Sequence, residues 1–371
     1  MRRKEISIQK GENVLLDGPS KLEVLTGEIE IYGKILKRGE NVIVRKDKRV
    51  AIIPHVSSTL RITSGRFFLT EDEVIPSNWV KTCERVSELR RGESALIIGK
   101  ADSGKSTLAI YLINKLLEKK ERIFFLEGDI GQPEIWVPTT ISGIFLERGV
   151  IDLEGYFPSF MEFVGDITPR KVYRRNIRLI TFLNKCGKEE APVIINSDGW
   201  IRNGGLEHKI KLARQMNPQF IISFLSERLN SDFKEIGRVI EVNRPKYIKR
   251  RGMEERRKRR IRKYWKAFSS AVLDTIEIKD LKIELAEIGR EIKYEKVRKV
   301  FERDKLRGIL CGLYGEGKCI GVGRIIEMNE GSITLSVNYI KKEKIEGMVL
   351  GNIIIDSEFN EWRVSWEDKI V

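Results

Sequence analysis

The stretch Gly99-Lys100-Ala101-Asp102-Ser103-Gly104-Lys105-Ser106, followed by Thr107, constrains this chain more than any other. Its spacing is G-x-x-x-x-G-K-S. It lies between an apolar run, Ser94–Ile98, and a segment with Leu108, Tyr111, Leu112, Ile113 and Leu116 at helical spacing. Strand, glycine-bounded turn and helix, in that order, are the context a phosphate-cradling P-loop requires. Glycine lets the backbone curl so that successive N–H groups face an anion. The helix expected to start near Lys105 adds the positive end of its dipole. In this arrangement Lys105 reaches the β- and γ-phosphates, and the Ser106 hydroxyl reaches Mg²⁺. A glycine-rich turn ahead of an ordinary core helix is the plainer alternative, but the strict spacing and the placement favour nucleotide binding.

From Ser94 onward, apolar runs alternate with helical patterns. Strands are expected at Ser94–Ile98, Arg122–Leu126, Pro192–Ile195 and Gln219–Leu225, and helices at Ser106–Lys119, Asn176–Cys186 and Leu206–Arg214. This alternation predicts a parallel sheet with helices on both faces. Ligands of such sheets sit at the carboxyl ends of the strands. The P-loop, Glu127–Asp129 and Ser197–Trp200 all follow strands, so all three converge on one cleft. Glu127 and Asp129 are two residues apart at a strand end and share a face. One carboxylate of this pair can hold Mg²⁺ or its waters, and one can accept a proton from an attacking hydroxyl.

The flanks differ from this core. Between Ile6 and Ile75, short alternating runs such as Glu28–Tyr32 and Arg49–Pro54 are broken by glycine, proline and charged turns, which predicts a small β-sandwich. Pro76–Val80 reads as a link, and Lys81–Leu89 as a short helix. Beyond Leu306 the chain is again strand-like and glycine-punctuated.

The charge is +15, and thirteen Lys and Arg stand against Glu254 and Glu255 between Arg244 and Lys266. A basic excess of this kind points to a polyanionic partner; a solvated basic helix is the alternative. No apolar run is long enough for a membrane-spanning helix, so no membrane partner is expected. The first residues lack the apolar region of a secretory signal. Cys83, Cys186, Cys311 and Cys319 form no C-x-x-C pair, and His55 and His208 are the only histidines, so neither a zinc site nor a disulfide scaffold is expected. A cytoplasmic or otherwise intracellular setting follows.

The combination of G-x-x-x-x-G-K-S with Glu127-Gly128-Asp129-Ile130-Gly131-Gln132 resembles the RNA-processing polynucleotide 5′-hydroxyl kinase family, which includes tRNA-splicing and pre-rRNA-processing RNA kinases. The family's T-x-G-W is matched by Ser197-Asp198-Gly199-Trp200, with Ser in place of Thr. Its Arg-rich lid is matched in character by Arg256-Arg257-Lys258-Arg259-Arg260, and its G-x-x-x-P segment by Gly165–Pro169. Val24–Gly33 is similar to text of the family's N-terminal domain. The resemblance implies an α/β P-loop kinase core (parallel sheet with helices on both faces) flanked by an N-terminal β-sandwich and a C-terminal β-rich domain. The expected boundaries are 1–75, 76–275 with a basic lid at about 244–266, and 276–371.

By the same resemblance, Lys105 and Ser106 bind ATP and Mg²⁺. Asp129 is either general base or metal holder, with Glu127 and Gln132 in support. Trp200 stacks on the terminal base, which suits any sequence, and Thr168 positions the backbone of the substrate. Arg256 and Arg260 stabilise charge on the transferring phosphoryl group, with Arg257 and Arg259 as alternatives. Tyr264 and Trp265 lie among these cations, as expected of a nucleic-acid groove. Tyr32 and Arg49 take the places that cover the adenine. The implied activity is ATP-dependent phosphorylation of the 5′-hydroxyl of single-stranded or duplex-end RNA, extending to DNA, with an RNA-processing complex as a further partner. A catalytically silent ATP-binding scaffold and an RNA-stimulated ATPase are the rivals. A guanine-reading N/T-K-x-D is not found, which disfavours GTP.

Overall fold

The computed structural model describes residues 3–370 apart from 280, 305 and 342. The N-terminal strands are β1 (Arg3–Ile8), β2 (Asn13–Asp17), β3 (Ser20–Thr26), β4 (Glu28–Ile31), β5 (Lys34–Lys37), β6 (Asn41–Val44), β7 (Arg49–Pro54), β8 (Ser58–Thr63) and β9 (Phe67–Thr70). They form two antiparallel sheets, ordered β1-β8-β3-β6 and β5-β4-β7-β2-β9. Residues of β3 and β8 alternate between buried and less buried, as strands with one covered face do. Leu22, Val24 and Leu60 of one sheet and Val14, Leu16 and Ile52 of the other pack into one core.

Helix α1 (Ser77–Val86) begins earlier than the sequence pattern indicates. Pro76–Val80 is therefore not a link. Pro76 caps the helix, and Trp79, fully buried, donates from Nε1 to the Asn243 carbonyl at 2.9 Å. A buried anchor on the first turn draws the helix forward.

The central unit runs β10 (Ser94–Ile98), α2 (Lys105–Leu117), β11 (Ile123–Gly128), β12 (Thr140–Leu146), β13 (Phe160–Phe163), α3 (Tyr173–Lys188), β14 (Val193–Ser197), α4 (Gly205–Met216), β15 (Phe220–Ser223), α5 (Glu227–Lys234) and β16 (Arg238–Glu241). The sheet order is β13-β12-β11-β14-β10-β15-β16. Ala95 and Ile97 of β10 pack with Leu108 and Leu112 of α2, while Leu96 and Ile98 pack with Leu179 of α3 and Leu212 of α4. The period of two along the strand thus puts helices on both faces.

The sheet is mixed, which corrects the expectation of a parallel one. β10, β11, β14, β15 and β16 are parallel, but β12 runs antiparallel between β11 and the edge strand β13. The reason is the kind of connection: no helix lies between β11 and β12 or between β12 and β13, and a parallel neighbour is usually reached through a crossover helix.

Helix α6 (Met253–Phe268) follows and carries most of the basic segment. A fourth sheet then includes Val272–Glu277, Ile309–Gly315, Lys318–Met328, Ser332–Tyr339 and Gly347–Ile355 around its own core. Its first strand pairs with Ser332–Tyr339. A three-residue strand, Glu361–Arg363, pairs with Gly347–Ile355.

Candidate active site at the carboxyl ends of the central strands

A cavity of about 420 Å³ opens over the ends of β10, β11 and β14. Its floor is the P-loop. Gly104 has φ 107°, and a side chain there would also press on Pro245 at 3.0 Å, so the turn into α2 requires glycine. Gly199 of the Ser-Asp-Gly-Trp segment meets the loop from the other side. A Cβ on it would fall 2.6 Å from the Ala101 amide nitrogen.

Lys105 is buried at the start of α2, and its Nζ donates to the carbonyls of Gly99 at 3.0 Å and Lys100 at 2.8 Å. Burial draws this ammonium down to about 8, with Asp129 and Asp198 pulling the other way. Ser106 Oγ lies 3.3 Å from Asn196 Nδ2, which also donates to Glu127 Oε1 at 2.9 Å. The other amide atom, Asn196 Oδ1, is buried without a hydrogen-bond partner among the described residues.

Glu127 is fully buried. Its Oε1 accepts from the Asp129 amide at 3.0 Å and its Oε2 from the Glu134 amide at 3.0 Å. Burial, then the charges of Asp129 and Glu134, pushes its carboxyl up to about 8. Asp129 lines the cavity. Its Oδ1 accepts from the amides of Gly131 at 3.1 Å and Gln132 at 2.8 Å, which fixes the carboxylate. Burial and the Asp198 charge raise Asp129 above the ordinary range against the pull of Lys105.

The Ser197–Trp200 segment is tied down by Asp198, which the sequence reading passed over. Its Oδ1 accepts from the Trp200 amide at 2.8 Å, and its Oδ2 pairs with Lys209, a fully buried residue of α4. Burial would raise this carboxyl, but Lys209 and His208 outweigh it and hold it below the usual range. Trp200 lines the cavity, with His208 behind its ring at 5.4 Å between centroids. Thr168 lines it too, its amide donating to Asp166 Oδ1 at 3.0 Å. Gln132 reaches the lid helix, donating to the Arg256 carbonyl at 3.1 Å.

The lid arginines have separate partners. Arg256 Nη2 lies 2.7 Å from Asp102 Oδ2 of the P-loop, which also accepts from the Arg251 amide at 3.1 Å. Arg260 pairs with Glu361 of the C-terminal sheet, its Nε at 2.7 Å from Oε1. Both arginines line the cavity, whereas Arg257 is exposed and does not. Arg259 is buried against Glu134 at 3.0 Å and Asp47 at 3.2 Å. Tyr264 is fully buried, so of the two aromatics placed in a nucleic-acid groove only Trp265, 57 % exposed, is at the surface. Nothing in local sequence marks Glu134 as the partner of Arg259, because 125 residues separate them.

The ion pair of Arg259 yields a stability prediction. Arg259→Ala leaves Glu134 and Asp47 short of a partner in the interior, and should cost about 3–5 kcal/mol. Arg257→Ala, at the surface, should stay within about 0.5 kcal/mol. Urea unfolding of the two variants checks the contrast.

On the nucleotide side, Tyr32 and Arg49 both line the cavity. The Tyr32 hydroxyl donates to the Arg49 carbonyl at 2.6 Å, and the Arg49 guanidinium holds Asp17 through two bonds at 2.8 and 2.7 Å. The apolar surface beside them is Leu15, Ala51 and Val74, with Tyr247 packed against it. His55 lies outside the cavity, 3.2 Å from Glu30.

Residues 99–270 match the family model described as mRNA cleavage and polyadenylation factor CLP1 P-loop. A polyribonucleotide 5′-hydroxyl-kinase of Pyrococcus horikoshii is 26% identical over 307 residues, covering 80% of this chain and 82% of that protein. A polyribonucleotide 5′-hydroxyl-kinase of Pyrococcus abyssi is 28% identical, covering 77% of this chain and 90% of its own length. The polynucleotide 5′-hydroxyl-kinase NOL9 of Bos taurus is 30% identical over 51% of this chain and 25% of that protein. Among solved structures, a wild-type Clp1p–Pcf11p complex shares the fold, with a TM-score of 0.70 at 14% identity over 95% of this chain and 98% of that one. With its P-loop, its strand-end carboxylates and its Ser-Asp-Gly-Trp segment gathered at one cavity, the chain carries the CLP1 P-loop domain in residues 99–270 and is similar over most of its length to polyribonucleotide 5′-hydroxyl-kinases.

Proposed function

We propose that this protein transfers the γ-phosphate of ATP to the 5′-hydroxyl of RNA, with DNA ends as a second substrate. One observation carries the reading: a single cavity is lined both by the phosphate cradle and by Trp200 and Thr168, with Asp129 on its wall. A nucleotide switch or plain ATPase needs no second-substrate platform of that kind.

In this reading the P-loop amides and Lys105 take the phosphates, while Leu15, Ala51, Val74, Tyr32 and Arg49 surround the base. Trp200 stacks on the terminal base of the acceptor and Thr168 holds its backbone, bringing the hydroxyl to Asp129. Asp129, raised by burial, is suited to take the proton as the oxygen attacks phosphorus. Arg256 leaves Asp102 for the transferring group, where charge spreads over three oxygens. Ser106, backed by Glu127, would hold Mg²⁺, and Asp129 would join them if it holds the metal instead of taking the proton. The donors fit a hard cation that keeps several waters, and the unpartnered Asn196 Oδ1 is placed to accept from one such water. When bound, the ion neutralises charge on the β- and γ-phosphates.

The three sets of sheets support reading 1–75 as a β-sandwich domain, 76–275 as the kinase domain and 276–371 as a C-terminal β-rich domain. A reaction that consumes ATP fits an intracellular enzyme. The test is incubation of γ-labelled ATP with 5′-hydroxyl and 5′-phosphate oligonucleotides. Label on the 5′-hydroxyl ends alone is expected. Hydrolysis without transfer would leave an ATPase, and no turnover at all would leave a scaffold.

A further inference from the structure

Four of the five arginines of the lid helix are already neutralised within the chain. Arg256, Arg259, Arg260 and Arg262 all pair with carboxylates of this chain: Asp102, Glu134, Glu361 and Asp47. Arg257 of that helix and Arg170, just ahead of α3, are exposed and have no ion-pair partner among the described residues.

Two lines of contact lead there from the cavity. From Thr168 and Pro169, which line it, the chain turns at Val172 and enters α3 at Tyr173. From Trp200, the ring meets His208, whose Nε2 is 3.0 Å from Asn176 Oδ1. Asn176 follows Tyr173 by three residues, and Lys211 follows His208 by three, so each pair shares a helix face. The lines close where Lys211 Nζ stands 6.0 Å from the centroid of the Tyr173 ring. Arg174 is 5.7 Å from the same ring, and its Nε donates to the Tyr173 hydroxyl at 3.0 Å. Lys211 also pairs with Glu207 at 2.7 Å, at the surface. Tyr173 is half-buried, packing one side on the core of α3 and α4. An aromatic ring among cations, next to the platform for the terminal base, is what single-stranded nucleic acid binds: bases stack on π-faces while cations track the phosphates.

We infer that Tyr173, with Arg170, Arg174 and Lys211, forms a second nucleotide station, which grips the bases that follow the terminal one in a single-stranded 5′ segment of RNA. The inference rests on the kinase reading, because it takes its direction from Trp200. It makes the enzyme selective for a flexible 5′ overhang over a blunt end, since a paired base cannot leave its stack to reach the ring.

The test compares a 5′-hydroxyl nucleoside 3′-phosphate, which has no second base, with a single-stranded 5′-hydroxyl decanucleotide, using the full chain. The wild type should show a KM about tenfold lower for the decanucleotide, the scale of one base–aromatic stack. Tyr173→Ala should remove that advantage while leaving the KM for the nucleoside 3′-phosphate and for ATP unchanged. Tyr173→Phe, which keeps the π-face, should retain it, and guards against a loss caused by misfolding. The double variant Arg170→Gln, Arg174→Gln should lower the salt slope of decanucleotide binding by about 1.4, from about 0.7 per lost phosphate contact. A decanucleotide advantage that survives in Tyr173→Ala, or a wild type indifferent to length, overturns the station. Should the wild type transfer no phosphate to either acceptor, the kinase reading fails instead. Direct binding of the decanucleotide to the same variants then still decides for or against the station.

Discussion

Lys105→Ala should abolish phosphoryl transfer, with a rate loss of about 10³-fold or more, while ellipticity and thermal midpoint stay close to wild type. The expectation comes from where the charge sits. Lys105 is buried at the head of α2 and bonded to the Gly99 and Lys100 carbonyls, so its ammonium is held inside the phosphate cradle. A positioned donor aimed at developing charge in a water-poor site accounts for losses of this order when removed. The fold should survive because the loop is shaped by Gly104 and by packing on Gly199, neither of which needs the lysine. Single-turnover transfer of γ-label measures the loss. A wild-type rate in this variant would take the P-loop out of the mechanism.

Asp129→Asn should lower transfer by about 10²–10⁴-fold, the range of a positioned proton acceptor. The substitution also separates the two roles open to this residue. As general base, Asp129 gives the wild type an acidic limb in its rate–pH profile, placed above the ordinary carboxylate range by burial and the Asp198 charge. Activity is then lost as pH falls through that raised value. In the asparagine variant the limb disappears and added Mg²⁺ does nothing. As metal holder, Asp129→Asn regains rate as Mg²⁺ is raised. A variant as fast as wild type would remove Asp129 from both roles.

The parts of this site that were legible in the sequence are those made by local chain geometry. The P-loop needs glycines at fixed offsets and a helix start, so Gly99–Ser106 announces itself. Glu127 and Asp129 follow because a strand end fixes their shared face. The parts not legible depend on residues far apart in the chain. Arg259 reads like its basic neighbours, yet it is buried against Glu134 and Asp47. Asp198 stands inside a recognised motif, but only the fold brings Lys209 to it. The antiparallel β12 and β13 were missed for another reason. Buried Thr140 and Ser142 interrupt the apolar run that would mark a core strand.

The pairing of Arg260 with Glu361 bears on how this enzyme can be dissected. The lid helix lies in the segment between the central and C-terminal sheets, but its arginine finds a counter-charge in the last strand of the chain. Arg363, two residues on, reaches back to Asp166, which in turn holds the Thr168 amide. Cutting the chain after the central sheet would therefore strip both the lid and the acceptor side of a support, although no catalytic group had been removed. Catalytic competence here belongs to the whole chain and not to a portable P-loop module.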